Sequence, residues 1–507
     1  MPRCLLAALA ALMLISLAAS GGARANEPVI EVPVAEEPAD EARAEAEALG
    51  AEDAGSSEAP AGSPAAAELP ADLLEEAVKL RDEAFAESDA WRHAWSLTTE
   101  VGPRLAGSAG DRAAVAWALS KLGDLGMDDV RPQSVMITPW ERGEAELRII
   151  QPFPQQLVVT ALGRSVSTPE AGIEAPVVRF TSLAELEAAE PATVRGHIVF
   201  IDERMERARD GSGYGPAVQK RNRGPAVASQ MGAVATVIRS VGTSGERLPH
   251  TGGTKFEDGA KPTPALALAG PDADMLARQL STGRDVLLHL RSTARWLPEA
   301  RSANIIAEIE GEERPEDIVL LAAHLDSWDL GTGAQDDAAG VAIAMEAARL
   351  IAAMPRRPAR TVRLVLFANE ELGLDGAKVY AEKALEADEK HVIGIEADGG
   401  AGLIYALDSG VSEDALPVVE AMRELLRPLD IDGGDNDSPG GADLSPLRKA
   451  GMPVLSLEHD RSWYFDWHHS ANDTLDKIDP GALKQAVAAY ATVVWVAANV
   501  KGIGPIF

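Results

Sequence analysis

The chain has 507 residues, more than one compact domain usually needs, and carries a formal charge of −32 with histidine neutral. A surface this acidic excludes nucleic acid as a partner and disfavours an anionic membrane, because both need a basic face. The single cysteine, Cys4, leaves no disulfide framework to read.

The first 25 residues, MPRCLLAALAALMLISLAASGGARA, hold one arginine, a short apolar run and Ala23-Arg24-Ala25, an A-x-A pattern. This is the form of a cleaved signal peptide rather than a retained anchor, so the mature chain is expected to be exported, to periplasm or medium, without a membrane span. Residues 26–70 are rich in Ala, Glu and Pro and lack aromatics. They are expected to form a disordered acidic linker, because they cannot bury enough apolar surface to offset chain entropy.

Order is expected from about Pro70. LPADLLEEAVKLRDEAFAES has helical spacing, with Asp72 near its start, and GDRAAVAWALSKLG after a Gly/Pro loop reads as a second helix. Between 146 and 300 the texture becomes short β-type runs: ELRII, QLVVTAL, APVVRF, HIVFID, AVATVIRS, ALALA and DVLLHL. That stretch reads as a β-rich insert. The flanking parts, 71–145 and 301–507, would make the main domain.

From 302 strands alternate with amphipathic helices. NIIAEIEG, DIVLLAAH, TVRLVLFAN, HVIGIEAD, GLIYAL and MPVLSLE read as strands. DAAGVAIAMEAARLIAAM, DGAKVYAEKALEA, LPVVEAMRELLRPL and GALKQAVAAYATVVWVAAN read as helices. The pattern predicts an α/β fold with a mostly parallel sheet, whose ligands bind beyond the carboxyl ends of the strands.

That edge is where the chemistry collects. His324 ends DIVLLAAH, LVLFAN runs into Glu370-Glu371, HVIGIEA runs into Asp398, and MPVLSLEHD leads to DWHHSANDT. Histidine and carboxylate are zinc ligands, and two metals about 3.5–4 Å apart share a bridging carboxylate. His324, Asp336, Glu371, Asp398 and His469 are the candidate ligands, with Glu370 as general base. Asp326, two residues past His324 on an extended segment, can hold the imidazole in its ligating tautomer. Each residue has a plainer reading. His324 could be structural, Asp336 and Asp337 helix caps, Glu370-Glu371 a dipole-matched first turn, and Asp398 a turn residue. Their agreement in order and position favours the metal reading.

The series HLDSWD, GAQDDAAG, NEELG, EADGGA and HHSANDT resembles the M28 metallopeptidases over about residues 90–507. HLDSWD with its tryptophan, VGPRLAGS and RLPHTGG resemble the plasma glutamate carboxypeptidase subgroup, which are dipeptidases. The resemblance implies a zinc-peptidase fold with a protease-associated lid as the insert, two zinc ions per chain, a peptide substrate and a homodimer. It places His324 and Asp398 on one zinc, Glu371 and His469 on the other, and Asp336 between them. Glu370 would be the base, Asp326 the residue orienting His324, and the Asp336–Asp337 peptide cis. His469 is preferred to His468 because it stands four residues before Asp473 of the -DT- pair. His250, Arg104 and Asp443 are open candidates for substrate contact, and Trp328 with the aromatics of SWYFDWHH for pocket walls.

The function implied is hydrolysis of dipeptides or short peptides by an activated water. The alternatives are an aminopeptidase on longer peptides, a glutaminyl-cyclase-like transferase, and an inactive binding relative.

Overall fold

The run IVLLAA is buried along its whole length inside the strand Arg314–His324. A parallel strand flanks it on each side, which is why it is apolar on both faces. The computed structural model describes residues 65–256 and 260–504. The signal-peptide reading and nearly all of the linker reading therefore lie outside the described residues. The first helix among the described residues, Ala71–Ala86, begins directly after Pro70.

The seven-stranded sheet runs Asp129–Ile137, Ala300–Ile309, Arg360–Phe367, Arg314–His324, Lys390–Glu396, Val454–His459, Ile404–Gly410. Only the inner four strands are mutually parallel; both flanks pair antiparallel. The expectation of a mostly parallel sheet is corrected to a parallel centre with antiparallel edges. The edge strand Asp129–Ile137 follows the helix Ala109–Gly123 and carries Pro132, a residue tolerated at a sheet edge.

Register decides where the chemistry lands. His324 pairs with Phe367, and Ala322 with Glu396. Glu370 is three residues beyond Phe367 and Asp398 two beyond Glu396, so both leave the sheet at the same edge as His324.

Two of the helices that pack on this sheet form its central backing. Ala339–Ala352 is apolar almost all round, and Pro480–Asn499 is long and apolar enough to cross a membrane but has its side chains buried in the core. Asp479 caps the latter by accepting from the Ala482 N–H at 2.8 Å. Gly340 sits where a Cβ would stand 1.8 Å from the Ala397 carbonyl oxygen, so the helix start presses directly against the loop that carries Asp398.

The chain leaves and re-enters this layer through the paired strands Trp140–Glu141 and Arg295–Trp296. Between them, residues 145–292 build an eight-stranded sheet with its own cores. Three of its pairings, joining Ile173–Phe180, Ile198–Ile201, Ala235–Arg239 and Ala265–Leu268, are parallel. QLVVTAL, read as one strand, divides into Gln155–Leu157 and Val159–Ala161 at opposite edges. All described residues belong to one compact unit.

Candidate metal centre

Asp336 sits at the centre of the strand-end cluster. Its Oδ1 lies 3.0 Å from His324 Nε2, and its Oδ2 lies 3.2 Å from His469 Nε2. On one side Asp398 Oδ1 is 3.8 Å from His324 Nε2; on the other Glu371 Oε2 is 3.1 Å from His469 Nε2. The five candidate ligands thus divide into two sets that share Asp336. The Asp336–Asp337 peptide is cis.

Proximity alone also gathers His324 with Asp337 and Asp398, and Asp336 with His468 and His469, with donor atoms within 4.8 Å of one another. Asp337 is already occupied. Its oxygens accept from the His324 N–H at 3.2 Å and the Gly340 N–H at 3.1 Å, so it starts the helix and holds the end of the strand. His468 reaches only Asp336, at 3.5 Å. Its ring stacks 3.6 Å from that of His469 and is boxed by Tyr214, Tyr464 and Phe465. Burial and its charged neighbour His469 hold His468 well below the usual imidazole range, as a neutral spacer.

The electrostatics are those of a cation site. Asp336, Glu371, Asp398, Glu370, Asp326, Glu396, Asp443 and Asp473 crowd around two histidines. Burial, reinforced by Asp336, pushes Asp398 up to about 6 and Glu371 up to about 7. Burial and the nearby Asp398 push Glu396 up to about 8. Glu370 is raised well above the carboxylate range by burial and by Glu371. Burial works against charge on His469, yet Glu371 and Asp336 push it up to about 9. So many carboxylates cannot all ionise together unless a cation joins them. Glu371 Oε1 is buried without a protein partner, which fits a ligating oxygen. His324, Asp336, Glu371, Asp398 and His469 are therefore a chemically suitable zinc set of nitrogen and oxygen donors.

Surrounding groups fix the ligands. His324 Nδ1 lies 3.1 Å from the Asp326 carbonyl oxygen and 3.8 Å from its carboxylate. The nearer acceptor is thus the backbone, while the Asp326 carboxylate accepts from the Glu370 N–H at 3.0 Å. Asp326 links the histidine loop to the turn that presents Glu370. Asp473 accepts from the Gln335 and Asp336 N–H groups at 2.6 and 3.2 Å, which explains the -DT- pair.

His469 has a left-handed φ of 59° and is held from the second sheet. Its carbonyl accepts from the Thr251 N–H at 2.8 Å, and its Nδ1 faces the Thr251 carbonyl at 3.3 Å. His250 Nδ1 meets the His468 carbonyl at 2.7 Å. His250 therefore braces the ligand loop from behind and does not line the cavity around the cluster.

Arg104 is fully buried. It donates to the carbonyls of Leu325, Thr332 and Gly333 at 2.6, 2.7 and 2.9 Å. It staples the loop between His324 and Asp336 and does not meet a carboxylate within ion-pair distance. Asp443 lies under the site with both oxygens buried and unpartnered, and does not line the cavity. Asp329, with no role apparent in the sequence, pairs with Arg142 at 3.0 Å. Arg142 also packs on Trp140 and Trp328. Trp328 belongs to that junction and not to the pocket wall, and Trp463 points outward, 61% exposed. Tyr464 and Phe465 do line the cavity, which measures about 690 Å³. Arg142 and Thr251 were not legible as site-supporting residues, because their partners are distant in the chain.

A parallel-centred α/β sheet with His and carboxylate at its strand ends defines the class: a metal-dependent hydrolase. The model of Peptidase family M28 matches residues 304–494. Carboxypeptidase Q of Mus musculus is 36% identical over 81% of this chain and 85% of its own length. A peptidase M28 precursor from Shewanella amazonensis, of known crystal structure, is 46% identical with a TM-score of 0.84, over 86% of this chain and 99% of that one. Aminopeptidase YwaD of Bacillus subtilis is 24% identical over 78% of this chain and 82% of its own length. The chain belongs to peptidase family M28 and is a zinc metallopeptidase.

Proposed function

We propose that this chain is an exported exopeptidase that hydrolyses dipeptides or short peptides with two zinc ions. His324 and Asp398 would hold one ion, Glu371 and His469 the other, and Asp336 would bridge them. The observation that carries this reading is the position of Asp336, within 3.2 Å of an imidazole nitrogen on each side. The bound zinc pair supplies Lewis acidity, lowering the pKa of water and polarising the scissile carbonyl.

The chain's own residues do the rest. Glu370 borders the cavity beside the ligand sets and takes the proton of the attacking water. It then returns the proton to the leaving amine. Asp326 fixes the backbone of Glu370 and so holds it beside the ligand set. The sheet at 145–292 acts as a protease-associated lid that closes the cavity on the far side from the strand ends. The resemblance to the carboxypeptidase subgroup supports a homodimer as the assembly.

The test combines metal analysis with Glu370→Gln. Two zinc per chain are expected, with activity falling about 10²–10⁴-fold while both ions stay bound. A zinc-loaded Glu370→Gln protein of full activity would overturn the base assignment, and one zinc per chain would favour the cyclase-like reading. The likeness to an aminopeptidase supports a second reading, release of N-terminal residues from longer peptides. Dipeptides and tripeptides with free or blocked termini separate the two.

A further inference from the structure

The five proposed ligands are not held alike. Three are fixed from within the main layer. The His324 N–H donates to Asp337 at 3.2 Å and the Asp336 N–H to Asp473 at 3.2 Å, and the loop carrying Asp398 is pressed against the helix start at Gly340. His469 and Glu371, the pair assigned to one ion, lean on the second sheet instead.

One short run, Thr251-Gly252-Gly253, touches both. At its start the Thr251 N–H donates to the His469 carbonyl at 2.8 Å, and the Thr251 carbonyl lies 3.3 Å from His469 Nδ1. His469 can ligate through Nε2 only when Nδ1 carries the ring proton. The Thr251 carbonyl is the acceptor facing that proton, whereas Arg221 Nη1, also 3.3 Å from Nδ1, can only donate. The carbonyl therefore selects the ligating tautomer and aims Nε2 at Asp336 and Glu371. At the far end of the run, a Cβ on Gly253 would stand 3.6 Å from the Glu371 carbonyl oxygen. Leu372, the next residue, packs in one hydrophobic core with Leu147, Leu266 and Leu288 of the second sheet.

Arg142 places that run. It stands where the chain crosses from the first layer to the second, and both it and Thr251 are buried. Its Nη1 donates to Thr251 Oγ1 at 2.8 Å and to the Ala161 carbonyl, and its Nε donates to Asp329 at 3.0 Å. Thr251 Oγ1 passes its own proton to the Ala161 carbonyl at 3.0 Å. Gly163 completes the frame: its N–H donates to the Gly252 carbonyl and its carbonyl accepts from the Thr254 N–H, both at 2.9 Å. A continuous set of bonds thus runs from Asp329 in the loop after His324, through Arg142 and Thr251, to His469. Buried, charge-assisted bonds of this kind fix position more firmly than neutral ones.

We propose that the second sheet is a working part of the metal centre: Arg142 and Thr251 are positioning residues that orient His469, and the ion held by Glu371 and His469 binds tightly only while that sheet is docked. This rests on the two-zinc reading above and deepens it. The ion of His324 and Asp398 does not depend on the second sheet, so the two ions differ in how they respond to it. Linkage makes the effect reciprocal. Filling the Glu371–His469 site tightens docking of the second sheet by the same factor by which docking tightens the ion.

The test measures zinc binding by competition with a chelator on the full-length protein, as wild type, Arg142→Gln, Arg142→Lys and Thr251→Val. Arg142→Gln is expected to weaken one of the two ions about 10–100-fold and to leave the other at its wild-type affinity. Lysine restores the charge beside Asp329 but not the planar fork, so Arg142→Lys should recover part of the loss. Thr251→Val removes one hydroxyl and keeps the backbone contacts to His469. It should weaken the same ion about fivefold, and it keeps the test open if Arg142→Gln does not fold. The double variant Arg142→Gln/His469→Gln identifies the ion: its one remaining zinc should bind as tightly as in His469→Gln alone. Amide hydrogen exchange reads the reciprocal effect, because zinc should slow exchange at Thr251 and Thr254 in wild type and much less in Arg142→Gln. Equal weakening of both ions overturns the proposal, as do wild-type affinities in Arg142→Gln or exchange at Thr251 that ignores zinc. Wild-type protein that holds a single zinc overturns the two-zinc reading instead.

Discussion

Arg104→Met tests how a residue far upstream builds the metal loop. The fully buried guanidinium spends three nitrogens on the carbonyls of Leu325, Thr332 and Gly333. Methionine roughly matches the stem but donates nothing, so all three carbonyls lose a charged donor. Each such bond is worth about 1.5–3 kcal/mol net, a ceiling of roughly 4–9 kcal/mol for the set. Removing a buried charge returns part of that, which leaves an expected loss of about 2–4 kcal/mol. The loop also carries the chain from His324 to Asp336. Zinc affinity should therefore fall about 10–100-fold, as it does when groups that orient ligands are removed. Urea unfolding should show a lower midpoint at unchanged slope, and competition with a chelator should show the weaker zinc site. A variant with wild-type midpoint and wild-type zinc affinity would refute the staple.

His469→Gln should cost one zinc per chain by metal analysis, whereas His468→Gln should not; equal losses would undo the choice between them. Glu346 is buried and held by Arg349 at 2.7 Å and by the Asp89 N–H at 2.9 Å. Burial opposes its ionisation, but Arg349 and His93 bring it down to about 2. A carboxylate depressed in the folded state stabilises fully above its ordinary value and loses that contribution as pH falls toward 2. The shift corresponds to about 3 kcal/mol, and Glu346→Gln should flatten acid unfolding between roughly pH 4.5 and 2. An unaltered acid profile would count against this. Gly340→Ala places a methyl group against the Ala397 carbonyl and should destabilise by about 1–3 kcal/mol or more, read by thermal unfolding.

His324, Glu370, Glu371 and Asp398 were legible because strand-end position can be read from local patterns, an apolar run of strand length and then His or an acid; Asp336 and His469 lie in loops ten or more residues past a strand and were singled out by the motif series. Asp337 as a helix-start residue was legible from local pattern too. The sheet's antiparallel flanks were not, since a strand's direction depends on its neighbours and leaves little trace in its own residues. The Asp326 carboxylate was expected on His324, because i and i+2 share a face. The structure gives the imidazole the Asp326 carbonyl and sends the carboxylate to Glu370, because the chain turns there.

Composition and order of residues determined by themselves that this chain makes an α/β sheet whose ligand-type side chains fall at one edge. Those are consequences of periodicity, which is local. Only the tertiary structure decided that Arg104 serves backbone carbonyls and that Thr251 and His250 brace the His468–His469 loop. Each of those contacts joins segments far apart in sequence, and nothing in the spacing of residues along a chain records which distant carbonyl a buried donor will meet.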